Sequence, residues 1–323
     1  MRSVTASAPA KAILFGEHFV VKGALGVVTA IDLRARVKVT EDRGSSLTIY
    51  SRELGGKYKI NLNNLESTPK PIAPFARIIK WLKERDYTIY PAIVEVKSNI
   101  PLGAGLGSSA ATASAFTLSY TALHGAPLNQ RELVEATIEA EIEAHGRPSG
   151  IDPNISVHGG VIAYRPGHEP VGITVGRELS EYKLVVADSG LKRNTKTAVE
   201  FVLDLASRYS GVLDHVYKAA NELSKRAIIA LERGDATTLG ELMNINHGLL
   251  AAIGVSTPEL EDLVYTARRA GALGSKITGA GLGGAIIALV HKDKTPIVVQ
   301  ELRNRAPWTS PVKLGESGVL VES

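Results

Sequence analysis

Residues 101–111, Pro101-Leu102-Gly103-Ala104-Gly105-Leu106-Gly107-Ser108-Ser109-Ala110-Ala111, join a glycine-rich turn to a run of small side chains that continues as Thr112-Ala113-Ser114-Ala115. Gly103, Gly105 and Gly107 allow backbone conformations and approach distances that a side chain would block. A helix opening at Ser108 leaves its first N–H groups facing outward, where an anion such as phosphate can be held. A single Gly-x-Gly is more often a turn packed for steric reasons, but the length and small-residue purity of this stretch favour the phosphate reading. The Walker pattern is absent, because Ser108 and Ser109 follow Gly107 with no lysine between. A cation for terminal phosphates has to come from elsewhere in the chain.

Working outward, Pro91–Ser98 alternates with Ile93, Val94 and Val96, so the glycine turn joins a strand to a helix. Upstream, Lys11–Phe15 and Gly26–Val39 read as strands, the second alternating Arg34, Arg36 and Lys38 with apolar neighbours. Phe75, Ile78, Ile79 and Leu82 make one helical stripe in Pro74–Arg85. Downstream, a helix is expected over 130–144, with short strands at Val161–Tyr164 and Lys183–Ala187 and a linker at Gly167–Arg177. Helical periodicity then dominates 196–208, 214–232, 236–252 and 258–271, followed by a strand, glycine turn and strand over Ser275–Val290.

The 323 residues, 44% hydrophobic and 22% charged, belong to the globular class and are enough for two domains. The balance of 37 basic against 33 acidic residues gives no nucleic-acid signature. With no cysteine, disulfides, thiolate catalysis and cysteine-ligated metals are excluded, and a reducing cytoplasmic setting is expected. No apolar run approaches the roughly 18 residues of a membrane span, so no membrane partner is expected.

Three further segments carry chemistry-bearing residues. Lys11 precedes an apolar strand that ends in Gly16-Glu17-His18, a pair that makes either a hydrogen-bonded turn or, beside a phosphate loop, a grip on a polar substrate. On the helix over 130–144 an inward stripe of Val134, Thr137 and Ile138 continues to Glu141, whereas Glu139 and Glu143 lie about 200° away. A carboxylate on such a stripe needs a partner, either a metal carrying nucleotide phosphates or an arginine. Asp152 follows Ser149-Gly150 in an apparent turn, where aspartates usually serve as caps. The late turn Thr278-Gly279-Ala280-Gly281-Leu282-Gly283-Gly284 runs into a strand instead of a helix, so it is no dinucleotide fingerprint and reads as a second glycine loop or a plain hairpin.

Together Pro9–Gly23, Pro101–Ala111 and Lys276–Gly284 resemble the three motifs of the GHMP family of small-molecule kinases. Gly-Glu-His-Phe-Val-Val at 16–21, His-Gly-Arg-Pro-Ser-Gly-Ile-Asp at 145–152, and Leu242-Met243-Asn244-Ile245-Asn246-His247 with Ile253-Gly254-Val255-Ser256 are similar to its mevalonate kinases, the chain's brevity to the archaeal ones. The resemblance implies an α+β, two-domain fold: a ribosomal-protein S5-like domain over 1–180, a ferredoxin-like domain over 181–323, and a cleft between them. It implies ATP-dependent phosphorylation of (R)-mevalonate with Mg²⁺, in a homodimer. Position by position it makes Asp152 the base and Lys11 the cation that assists it. Residues 101–111 become the ATP loop, and Ser109 and Glu141 the Mg²⁺ ligands. Glu17, His18, Thr195 and Ala280 line the substrate pocket. Leu282 and Pro153 depart from the family pattern. Two alternatives stand beside this reading. A phosphomevalonate or other alcohol kinase needs an added cationic pocket, for which Lys192, Arg193 and Lys196 are the candidates. A non-catalytic ligand sensor would be expected to lose Lys11, Glu141 or Asp152, all of which are present.

Overall fold

The computed structural model describes residues 1–145, 150–192 and 194–322. Twelve strands and nine helices are assigned among them. The strands are β1 (Ser3–Phe15), β2 (Gly26–Glu41), β3 (Ser46–Ser51), β4 (Gly56–Asn61), β5 (Ala92–Ser98), β6 (Val161–Tyr164), β7 (Val171–Gly172), β8 (Tyr182–Asp188), β9 (Gly274–Thr278), β10 (Ala285–His291), β11 (Trp308–Val312) and β12 (Leu320–Glu322). The helices are α1 (Ala73–Lys83), α2 (Ser108–Leu123), α3 (Gln130–His145), α4 (Ile151–His158), α5 (Thr195–Arg208), α6 (Ser210–Arg233), α7 (Ala236–Ala252), α8 (Pro258–Arg269) and α9 (Thr295–Arg303).

β1 starts well before the expected Lys11, because Ala6, Ala8, Ala10 and Ala12, all buried, line one face of a strand whose alanines carry little β signal of their own. Its neighbours form an eight-stranded sheet in the order β12-β1-β2-β5-β3-β4, with β6 attached to β2 and β7 to β6. β2 pairs with β6 through Gly26–Thr29 and with β5 through Ala35–Glu41. The β1–β2 register shifts between Pro9 and Ala10, where β2 carries Asp32 and Leu33 as extra residues. The β3–β4 hairpin, α9, β11 and β12 are additions to the sequence reading, and β7 falls inside the expected linker.

Above this sheet α2 is buried on nearly every side, from Ala110 to Leu123. Small side chains let it sit close to the strands while α3 folds back against it, the rung Ser114 Oγ to Thr137 Oγ1 measuring 3.1 Å. The inward stripe of α3 is Leu133, Ala136, Thr137, Ala140 and Glu141. Val134 and Ile138 sit on its edge, so the expected stripe is rotated slightly while Glu141 keeps its inward place.

The second sheet, β11-β8-β10-β9, is antiparallel throughout. Both faces are covered. Ala285, Ile287 and Leu289 share a core with Leu231, Leu239 and Met243 of α6 and α7, and that core is continuous with the first domain. Ile286, Ala288 and Val290 pack with Leu260, Val264, Val298 and Leu302 of α8 and α9. This explains why Ala285–Val290 is an unbroken apolar run. β12 crosses back to pair with β1, Thr5 opposite Glu322. Among the described residues no helix is long and apolar enough to cross a membrane.

Candidate functional site

Three separate segments meet at Gly107. This residue sits at the N-cap of α2 with φ +77°, and a Cβ placed on it would lie 3.0 Å from Lys11 Cγ and 3.6 Å from Asp152 Oδ2. Only a bare backbone fits there without pushing on Lys11. Lys11 donates its backbone N–H to Leu106 O at 2.9 Å, fixing β1 against the loop, and its Nζ lies 3.2 Å from Asp152 Oδ1. The lysine is buried and the aspartate partly open, the side-chain exposures being 8% and 29%. The pair therefore faces outward through the carboxylate.

Asp152 is not in a turn, as its sequence context implies, but in the first turn of α4 behind Gly150, whose φ is +80°. Pro153 falls in that same turn, where a helix has no intrahelical use for the missing N–H, so the departure costs the helix nothing. Within the motif at 145–152, residues 146–149 and the His145 side chain lie outside the described residues.

The loop itself runs Pro101, exposed Leu102, Gly103 and Gly105 at φ +80° and +77°, buried Ala104 and Leu106, then Gly107, Ser108 and Ser109 at the open end of α2 ahead of buried Ala110 and Ala111. Glu141 is 5% exposed, while Glu139 is held by Arg77 at 2.7 Å and Glu143 is exposed. From the Ser114–Thr137 rung, Ser109 lies five residues back along α2 and Glu141 four residues on along the antiparallel α3. Both are thus displaced about 6–8 Å toward the same end of the helix pair. A hydroxyl and a buried carboxylate at one level are hard oxygen donors, the set that Mg²⁺ takes when phosphates and water complete its shell. Among the described residues no group of three His, Cys, Asp or Glu forms a closed metal cage.

The Gly-Glu-His segment and the late glycine loop come together across the domains. Glu17 is fully enclosed and ion-paired with Lys276 of β9, and Asn246 Nδ2 of α7 donates to its other oxygen at 3.2 Å. Glu17, expected from the resemblance to line the substrate pocket, is thus enclosed between Lys276 and Asn246. Burial pushes the Lys276 ammonium below its ordinary range, and Glu17 opposes that shift. His18, with φ +59°, places Nε2 2.7 Å from the carbonyl oxygen of Ala280. Ile13 donates to Thr278 Oγ1 at 2.9 Å and accepts from it at 3.1 Å. The loop that follows keeps Gly279, Gly281, Gly283 and Gly284 at positive φ, and Leu282 joins them at +55° with its N–H on Val255 O at 2.7 Å. The glycine run is interrupted in sequence but not in conformation.

Thr195 stands exposed at the first position of α5, behind its N-cap Asn194, and no described bond ties it to Lys11 or Asp152. Lys192 and Lys196 are exposed nearby, and Arg193 lies outside the described residues. Sequence reasoning assigned no role to Lys276 or Asn246. The available signal was a lone lysine in an otherwise small and apolar strand, Gly274-Ser-Lys-Ile-Thr, which must bury its charge and needs a partner. The motif Asn244–His247 proves to be a brace. Asn244 bonds Leu273 O and the Ser275 N–H, and His247 Nε2 meets Glu261, which also accepts from Ser256 Oγ at 2.6 Å.

Family models match in two places: the GHMP kinases N terminal domain over residues 74–160 and the GHMP kinases C terminal over 227–307. A mevalonate kinase of Aeropyrum pernix is 40% identical over 324 residues, covering 99% of each chain. One of Pyrococcus horikoshii is 37% identical, over 90% of this chain and 89% of its own. Among solved structures, L. major mevalonate kinase in complex with R-mevalonate superposes with a TM-score of 0.82 at 26% identity, covering 97% of this chain and 96% of that one. The Methanococcus jannaschii mevalonate kinase, at 23% identity, shares the fold with a TM-score of 0.87 over 98% and 99% of the two chains. With both family models matched in order, and 40% identity to a relative along the whole chain, the protein belongs to the GHMP kinase family and resembles its archaeal mevalonate kinases.

Proposed function

We propose that the protein transfers the γ-phosphoryl group of ATP to the terminal hydroxyl of (R)-mevalonate, giving 5-phosphomevalonate and ADP. The observation that carries this reading is the convergence of Lys11, Asp152 and Gly107: a buried cation, a base and a phosphate loop within contact of one another. The substrate class comes from the relatives, which are mevalonate kinases.

Phosphoryl transfer asks a protein mainly for positioning and electrostatic stabilisation. Residues 101–111 hold the nucleotide phosphates with the open N–H groups of α2. Asp152 accepts the hydroxyl proton as the oxygen bonds to the γ-phosphorus, while the bond to the bridging β-oxygen breaks and ADP leaves. Lys11 lowers the cost of that deprotonation and offsets charge on the transferring group, which supplies the cation missing from the loop. Ser109 and Glu141 would hold Mg²⁺, which neutralises phosphate charge when bound. Glu17, His18, Ala280 and Thr195 border the acceptor pocket. Residues 1–180 supply the chemistry and 181–323 close the cleft, in a cytoplasmic homodimer.

A coupled assay of ADP release against mevalonate, phosphomevalonate, galactose and homoserine tests the proposal. Mevalonate should give the highest kcat/KM. Faster turnover of phosphomevalonate would reassign the acceptor, and ATP binding without turnover of any of them would favour the sensor.

A further inference from the structure

Lys11, the phosphate loop and Asp152 come from three distant parts of the chain, and one residue outside the cleft, Arg34, bonds to a segment next to each: its side chain to β1 and to the segment that packs on α4, its backbone to Asn99 ahead of the loop. Arg34, half-buried on β2, donates Nε to Ser7 Oγ at 2.9 Å and Nη2 to Ser7 O at 2.9 Å, gripping β1 just before the register shift that precedes Lys11. The same guanidinium reaches the other way, with Nη1 on Ser317 O and Nη2 on Gly318 O, both at 2.8 Å. Its backbone N–H meets Asn99 Oδ1 at 2.6 Å and its carbonyl accepts the Asn99 N–H at 3.3 Å, at the entrance to the phosphate loop.

Ser317 and Gly318 are where the segment 314–322 braces the far end of α4. Gly160 donates to Glu316 O at 2.7 Å, Val319 donates to Val157 O at 3.3 Å, and Gly315 donates to Thr29 Oγ1 at 2.8 Å. A Cβ on Gly159 would strike the backbone of Ser317 and Gly318, so the contact is backbone to backbone. α4 has only eight residues, too few to hold itself in place by helical bonds alone, and Asp152 is in its first turn. The planar guanidinium fork spans its acceptors in one fixed geometry, which a lysine cannot reproduce.

We propose that Arg34 is a positioning residue for the transfer. By gripping Ser7 on one side and the Ser317–Gly318 brace of α4 on the other, it sets the spacing of Lys11 and Asp152. The inference rests on the function proposed above. Misplacement of reacting groups by about 1 Å can cost about 10²-fold in rate. Arg34→Met should therefore lower kcat with mevalonate by about 10–100-fold, while KM for ATP changes by less than about threefold. In ligand-free protein, amides of 154–158 should exchange faster while those of α7 and α8 keep their rates. In an Asp152→Asn background the same substitution should cost almost nothing more, because the spacing it sets no longer serves a base. If Arg34→Met does not fold, Arg34→Lys is read by the same criteria. An unchanged kcat, unchanged exchange in α4, or an equal loss in both backgrounds would overturn the proposal. The exchange measurement needs no substrate, so it tests the brace even if mevalonate is not the acceptor.

Discussion

Lys11 Nζ and Asp152 Oδ1 are 3.2 Å apart, and the residue packed against both is Gly107, where an added Cβ would press on Lys11. A strand, a helix N-terminus and a left-handed turn have to agree for this to happen. The contact places a buried ammonium beside a carboxylate that stays partly open.

Asp152→Asn keeps the shape and removes the proton acceptor, so turnover should fall by roughly 10²–10⁴-fold with ATP binding retained. Lys11→Ala should lose activity as well. The double variant should be little worse than the worse single one, since both residues act on one proton transfer. Steady-state kinetics at saturating substrates, with nucleotide binding by calorimetry, decide it, and a near-wild-type rate for Asp152→Asn removes the base assignment.

Gly107→Ala should lower activity, because the methyl would be added beside the Lys11–Asp152 pair. Its φ of +77° disfavours any side chain by about 1–3 kcal/mol, and the added methyl presses on Lys11. Gly103, with φ +80° but open space around its Cβ position, should lose far less activity on the same substitution. Paired kcat/KM and melting curves for the two variants provide the comparison. Equal effects would show that strain alone, and not contact with Lys11, accounts for the loss.

Among the three glutamates near the end of α3, only Glu141 is buried. Glu141→Gln should raise the Mg²⁺ concentration needed for half-maximal activity. Glu143→Gln should be silent, and Glu139→Gln should cost less than about 1 kcal/mol, the scale of its partly exposed pair with Arg77. Metal titrations of the three variants test this, and similar shifts in all of them would remove Glu141 from the metal site.

Burial lowers the pKa of His124, His158 and His247, with Glu261 opposing the shift at His247. The unfolded chain, titrating near 6.5, binds these protons more readily than the folded one. Stability should therefore fall as pH drops through that value, before the carboxylates titrate. Urea unfolding at about pH 7.5 and about pH 5.5 should show a shallower pH dependence for His247→Gln than for wild type. An identical slope would mean that His247 titrates alike in both states.

Lys276 and Glu17 form a wholly enclosed pair across the domains. Lys276→Met alone strands a buried carboxylate and should cost about 3–5 kcal/mol, whereas adding Glu17→Gln should recover part of the loss. Denaturant midpoints of the singles and the double decide it, and strict additivity would show that the two charges do not depend on one another.

The sequence by itself determined the glycine turn that opens α2, most of the helices and the inward place of Glu141. Each is a local signal: three glycines before small side chains, apolar spacing near 3.6, and a carboxylate in phase with a buried stripe. It also held the kinase resemblance, since the residues of all three motifs stand in order along the chain. Tertiary structure decided the rest. Asp152 reads as a turn aspartate because α4 has eight residues and little periodicity of its own; packing and the 314–322 brace make it a helix. Glu17 follows a strand in a Gly-Glu-His turn, and nothing near it in sequence shows that Lys276, far along the chain, pairs with it. Arg34 reads as one more polar position on an alternating strand, and only its bonds to Ser7, Ser317 and Gly318 reveal what it joins. Periodicity records which face of an element is buried. Which distant group meets it there is set by the packing of the whole chain, and no local window contains that information.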